Sequence, residues 1–284
     1  MLKITCMGSE DRTFINNIVE KNLLDPLAVQ NTCAGIVELA KLLGINENNW
    51  IHLPFCHTLE AENLGAEVIF DFEKGNRIKT AIFQDPDSLL KLNPLDINTG
   101  RIAEFLKAIK LLALENHKII YNLSGPVSVI TSLIGELKFY KTLRKNPELS
   151  AQLMAFIEET LTTMGVAALN AGATILSLAD PAGSLDILGE PTYKNIIGPS
   201  TIRIISGIIE KKPAAKIQLC NKLSRSLEAT GFLDVQAYSI EKMNYLDALN
   251  EELGLRKESQ LIWCHGCTNS NPLVSTLYYG VIRG

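Results

Sequence analysis

Two stretches decide the fold: KIIYNLSGPVSV at residues 118–129 and AGATILSLADP at residues 171–181. In each, a short apolar run (118–123 and 174–179) is bounded by turn-forming residues, which reads as a strand. Gly125-Pro126 stops the first strand, and proline suits the first turn of a helix. The residues from 127 to 171 carry helical periodicity. Strand, helical stretch and strand together make a βαβ unit.

The same alternation continues outward. Downstream come a helix over 191–211, a strand over 215–219, a helix over 221–229, a strand over 233–237, a helix over 239–252 and a strand over 260–264, then a short C-terminal segment. Upstream, a helix over 100–116 follows a hairpin in which 67–72 and 78–83 flank the turn at 73–77. A strand over 49–55 precedes that hairpin. Amphipathic helices over 11–23 and 28–43 come first, the second closing at Gly44. Strands alternating with helices imply a parallel sheet and an α/β class. The architecture expected is a (β/α) TIM-type barrel, complete or shortened, with an N-terminal helical segment. Fewer than eight strands are clear, and an open doubly wound sheet is the alternative. With no Gly/Ser-rich linker or low-complexity tract, residues 1–284 read as one domain.

Bulk properties narrow the function classes. The 284 residues are 46% hydrophobic and 20% charged, an ordinary globular balance. A net charge of −4 provides no basic surface for nucleic acid. No apolar run is long enough to span a bilayer and no leader is evident, so a cytoplasmic protein is expected. Six cysteines in a chain of this size read as packing residues, metal ligands or reactive thiols rather than a disulfide framework.

Polar and reactive residues collect where the strands end: Cys56 and His57, Asn122 and Ser124, Asp180, Cys220 and Asn221, and Cys264, His265 and Cys267. The strand bodies read as apolar. In parallel α/β proteins the C-terminal strand edge is where sites form. Each residue also has a plainer reading. Cys264 ends an apolar strand and reads as core. Asp180 either orients a ligand or caps a helix starting near Ser184. Asn122 and Ser124 either line the site or satisfy the turn backbone. Cys6 and Cys33 carry no assigned role, and the apolar stripe of 147–171 is core.

The run from Asn122 through Gly125-Pro126 to Leu133-Ile-Gly and Asn146-Pro-Glu-Leu resembles the uroporphyrinogen decarboxylase superfamily. So do Ala61-Glu-Asn-Leu-Gly-Ala and Ala171-Gly-Ala through Ala179-Asp-Pro, in the same order along about residues 55–240. That superfamily holds porphyrinogen decarboxylases and cobamide-dependent methyltransferases. The decarboxylase branch implies an N-terminal arginine cluster and an aspartate near the Ala61 element. The first 50 residues contain only Arg12, and Cys56 stands at the aspartate's place. A polycarboxylate substrate would then lack its cationic partners.

The methyltransferase branch implies His-x-Cys after one strand and a C-terminal Gly-Cys, which together hold zinc. The matching segments are Gln218-Leu219-Cys220 and His265-Gly266-Cys267, with Gln218 in place of the histidine. The resemblance thus implies Cys220 and Cys267 as catalytic zinc ligands, with His265 as the third. Zinc would keep an incoming thiol deprotonated at neutral pH. Cys56, His57, Asn122, Asp180 and Gln218 are the expected substrate-binding residues. A corrinoid held by a partner protein and a small thiol are the implied partners. The expected function is therefore zinc-dependent methyl transfer between a corrinoid protein and a thiol. The alternatives are a porphyrinogen decarboxylase and a non-catalytic corrinoid- or ligand-binding protein.

Overall fold

The computed structural model describes residues 12–44, 50–71, 74–255 and 261–283. Asn49, Phe72, Glu73 and Gln260, read from the sequence as parts of strands or a turn, lie outside these residues, as does Cys6.

The described residues begin with a helix, as expected, α1 at Arg12–Lys21. The helix expected over 28–43 is two: α2 at Ala28–Asn31 and α3 at Cys33–Gly44. Thr32 between them is extended (φ −117°, ψ 144°). Strand β1 (Trp50–Leu53) and helix α4 (Leu59–Asn63) follow. The expected hairpin is paired over two residues a side, β2 (Val68–Ile69) against β3 (Arg77–Ile78).

From there the chain runs α5 (Gly100–Leu114), β4 (Lys118–Ser124), α6 (Pro126–Ile134), α7 (Glu136–Lys145), α8 (Pro147–Ala171) and β5 (Ile175–Ala179). Short helical turns α9 (Leu185–Leu188) and α10 (Glu190–Thr192) lead to α11 (Gly198–Lys211), β6 (Lys216–Cys220) and α12 (Asn221–Ala229). The last elements are β7 (Leu233–Asn244), α13 (Tyr245–Leu255), β8 (Leu261–Gly266) and β9 (Leu273–Ile282).

Local chemistry sets these boundaries. In α8 the Asn146 side chain accepts from the Leu149 amide, Pro147 opens the first turn, and Gly172 closes it in the left-handed region at φ +113°. The α8 face built from Leu153, Ile157, Leu161 and Met164 is wholly buried. Each such side chain contributes about 1.5–3 kcal/mol of burial.

The main sheet has the order β1-β4-β5-β6-β8-β9-β7. Pairs from β1 through β8 are parallel, while β9 runs antiparallel to both β8 and β7. The parallel strands lie side by side in chain order. A doubly wound sheet reverses its order at a switch point, and this one does not. The winding is that of a (β/α) barrel, with β1 and β7 at the two ends of the described pairing.

At the C-terminal end one expectation fails, and a segment given no element from the sequence is a strand. Residues 239–244, expected in a helix, continue β7, and the final segment is the ten-residue strand β9. The cause is mutual: each supplies the other's backbone partners from Leu233↔Ile282 to Asn244↔Leu273. Long-range pairing overrides the local helical periodicity of 239–252. No helix among the described residues is long and apolar enough to cross a membrane.

Candidate active site at the strand ends

A cavity of about 380 Å³ opens where the parallel strands end. Strands and their following turns supply its wall: Asn122 and Ser124 from β4, Ser177 and Ala179 from β5, Gln218 and Cys220 from β6. Cys267, Thr268 and Asn269 follow β8, and His57, Ser128, Pro181 and Lys222 complete the lining. The structure thus brings together five of the expected site residues: Cys220, Cys267, His57, Asn122 and Gln218.

Cys220 and Cys267 are distant in the chain but close in the sheet. Cys220 pairs in register with Gly266, the residue before Cys267. Cys220 is also the N-cap of α12, its Sγ meeting the Leu223 amide at 3.5 Å. Gly266 is backed by Tyr245: a Cβ at this glycine would lie 2.1 Å from the tyrosine Cζ. The small residue between His265 and Cys267 is therefore a steric requirement of this strand end.

Gln218 is held at both ends of its amide. Its Oε1 accepts from Ser177 Oγ at 2.6 Å, and its Nε2 donates to the carbonyls of Leu219 (2.9 Å) and Gly266 (3.1 Å). It is 1% exposed and ties β5, β6 and β8 together at the cavity floor. Sequence reading missed Ser177, having taken the strand bodies as apolar. Its signal was the single hydroxyl within TILSLA.

His265, Asp180 and Cys56 are placed elsewhere. The His265 ring lies between Ser224 Oγ, 3.0 Å from Nδ1, and Glu228 Oε2, 3.0 Å from Nε2. It also packs, tilted by 59°, against the Tyr278 ring at 5.0 Å between ring centres. Burial and the nearby Arg225 push its pKa below the ordinary imidazole value, with Glu228 opposing. Both ring nitrogens are engaged by α12, and the ring is not among the residues lining the cavity. His265 has a positive φ of 57°, so the backbone turns at this residue.

Asp180 caps a helix, and that helix is α6 rather than one starting at Ser184. Its Oδ2 accepts from the Val127 amide at 3.0 Å, and its Oδ1 accepts from the Ser128 amide at 2.9 Å and hydroxyl at 2.6 Å. Burial raises its pKa despite these bonds. A Cβ on Gly125 would lie 2.2 Å from Asp180 Cβ, and one on Gly183 2.3 Å from Asp180 Oδ2. The two sequence stretches that decide the fold are thus one contact: Gly125 makes room for the aspartate that caps the helix begun by Pro126.

Cys56 is 3% exposed and is not among the residues lining the cavity. Its Sγ accepts from Arg101 Nη2 at 3.1 Å and from Thr58 Oγ1 at 3.3 Å. The same guanidinium places Nε 3.0 Å from Glu62 Oε2 and packs over Phe70 at 4.9 Å. Cys264 is core, as expected: it is 1% exposed, and burial with Glu228 nearby pushes its thiol up to about 12.

These placements test the zinc expectation. A catalytic zinc takes three protein ligands and leaves one position open. Cys220 and Cys267 offer two. Gln218 stands where the third is expected with its amide already bonded, and His265 is held by α12. Among the described residues no three His, Cys, Asp or Glu side chains gather as a metal-binding group. The donor set does not fit a three-ligand zinc. The cavity also lacks an arginine among the described residues, and Lys222 is paired with Asp186 at 3.3 Å.

Fold and site together define an α/β protein of the (β/α)-barrel type with a thiol-lined cavity at its C-terminal strand edge. Residues 47–261 match the family model for uroporphyrinogen decarboxylase (URO-D), and the chain belongs to that family. Among curated proteins it is similar to the methylcobamide:CoM methyltransferase MtaA of Methanosarcina barkeri, 24% identical over 196 residues. That match covers 68% of this chain and 57% of the relative. The methylcobamide:CoM methyltransferase MtbA of Methanosarcina mazei is 23% identical over 196 residues, covering 68% and 58%. The chain thus spans less than three fifths of these relatives' length. A solved structure, a methyltransferase from Methanosarcina mazei, shares the fold with a TM-score of 0.62 at 19% identity, over 73% of this chain and 62% of the other.

Proposed function

We propose that this chain acts in methyl transfer, moving a methyl group between a corrinoid carried by a partner protein and a small thiol seated in the cavity. The observation that carries this reading is the convergence of Cys220 and Cys267 on one wall of a cavity sized for a small molecule. The similarity to methylcobamide:CoM methyltransferases supports it.

In this reading the acceptor thiol loses its proton to water, and its sulfur forms a bond to the methyl carbon. The carrier keeps the electron pair of the bond that breaks. The polar wall of Asn122, Ser124 and Ser177 orients the acceptor. Gln218 fixes the strand ends that carry both cysteines. No step is assigned to zinc, because the donor set does not provide for it.

The test is methyl transfer from methylcobalamin to coenzyme M, following the S-methyl product. Activity is expected in the wild type, and Cys220→Ala and Cys267→Ala should each lower kcat/KM at least about tenfold, or about 1.4 kcal/mol in the transition state. Undiminished transfer in both variants would remove the site assignment. A second reading, corrinoid binding without turnover, is favoured by the locked amide of Gln218. Tight corrinoid binding with no methyl transferred to any thiol would select it. Conversion of uroporphyrinogen to coproporphyrinogen would overturn both.

A further inference from the structure

We propose that Cys220 and Cys267 form a reversible dithiol–disulfide couple that closes when it meets a low-molecular-weight disulfide, withdrawing both thiols from the cavity. The inference rests on the assignment of this cavity as the site, but not on the identity of its substrate.

The geometry suits a bridge. Cys220 is in register with Gly266, the last residue of β8, and Cys267 follows directly after the strand end. Neighbouring paired strands lie about 4.8 Å apart. Disulfides span Cα separations of about 4.4–6.8 Å. Gly266 puts no side chain between the thiols, and its carbonyl is clamped to β6 by Gln218 Nε2 at 3.1 Å. Both thiols line a cavity open to small molecules. Cys56 and Cys264, at 3% and 1% exposed, are shielded from the same oxidant.

Gln218 keeps the pair available. A histidine there would complete a ligand set, and a metal would hold both sulfurs. The glutamine spends its donors and acceptor on Ser177, Leu219 and Gly266 instead.

The chemistry balances with glutathione disulfide as oxidant. The Cys220 thiolate attacks one sulfur of the oxidant and releases one glutathione thiol. The Cys267 thiolate then displaces the second from the mixed disulfide. One protein disulfide forms, one oxidant disulfide is reduced, and the two cysteine protons end on the released thiols.

The experiment treats the full chain, reduced and then freed of reductant, with glutathione disulfide. Thiol counting after denaturation, intact mass and peptide mapping follow. The expected result is loss of two thiols, loss of the mass of two hydrogens and a Cys220–Cys267 linked peptide, all reversed by dithiothreitol. Cys220→Ser should abolish the link and leave glutathione on Cys267. Serine is a good N-cap, so this variant keeps the start of α12. Metal analysis without chelator should find well under one zinc per chain, and Gln218→His should raise it toward one. One zinc per wild-type chain with thiols protected from the oxidant, or glutathione on each cysteine with no link, would overturn the proposal. A chain that forms the link but moves no methyl group sinks the functional reading alone, and transfer without a link sinks this one alone.

Discussion

Replacing Gly125 with alanine tests how the two fold-deciding stretches hold each other. The new Cβ would lie 2.2 Å from Asp180 Cβ and 2.5 Å from its Cγ, more than 1 Å inside ordinary contact. Asp180 is 1% exposed and cannot swing into solvent. If it moves, its bonds to the Val127 and Ser128 amides at 3.0 and 2.9 Å stretch or break. Overpacking of this kind costs about 1–3 kcal/mol, and a hydrogen bond to a charged group contributes about 1.5–3 kcal/mol. A loss of about 4 kcal/mol is expected, read as the shift in urea midpoint at constant m. Asp180→Gly destabilises by removing the carboxylate that caps α6, and it also removes the Cβ and carboxyl that the new methyl strikes. In that background Gly125→Ala should cost under about 1 kcal/mol, a coupling of about 3 kcal/mol. Equal costs of Gly125→Ala in the two backgrounds would refute the steric account of the Gly-Pro turn.

Two further outcomes follow from buried charges. Glu60 is 1% exposed, and burial raises its pKa from 4.5 to about 7, with hydrogen bonds at Ser124 opposing. The folded state therefore holds this proton more tightly than the unfolded chain. Its contribution to stability is full below pH 4.5 and is lost as pH rises through about 7, a change of about 3 kcal/mol. Glu60→Gln should flatten that dependence when urea midpoints are compared at pH 5 and 8; the same slope in both proteins would reject the assignment. Arg101→Met should destabilise by about 3 kcal/mol, because Glu62 loses its partner and Cys56 and Thr58 lose a donor. Restoring most of that loss by adding Glu62→Gln would confirm that the stranded carboxylate is the cause, and no rescue would contradict it.

The parallel half of the fold was legible because its signals are local. Apolar runs at 118–123, 174–179 and 215–219 stop at Gly, Asp-Pro or Cys-Asn, and the structure places β4, β5 and β6 there. Helix α12 matches the expected 221–229 range because an apolar stripe and a capping side chain coincide. Residues 239–244 were not legible, since they carry no strong strand pattern alone, whereas 273–282, LVSTLYYGVI, carries β-branched and aromatic residues whose strand signal was passed over. What makes them strands is their pairing with one another, a contact across some forty residues. Barrel winding was open for the same reason: the order of the strands depends on which edges meet, which periodicity does not encode.

At the site the limit was direction rather than location. The strand-end rule found the edge, and Cys220, Cys267, His57, Asn122 and Gln218 share one cavity. It could not tell which way a side chain points once it leaves the strand. His265 and Cys267 are two residues apart, yet Ser224 and Glu228 on α12 take the imidazole while the thiol faces the cavity. Asp180 ends its strand as expected but turns back to the amides of α6. In both cases a helix terminus or helix flank offered hydrogen-bond partners nearer than any ligand. A buried polar group at a strand end goes to the first set of partners that satisfies it. The residues left facing the cavity, two thiols and an already bonded amide among them, therefore say more about its chemistry than the larger set that reaches the same edge.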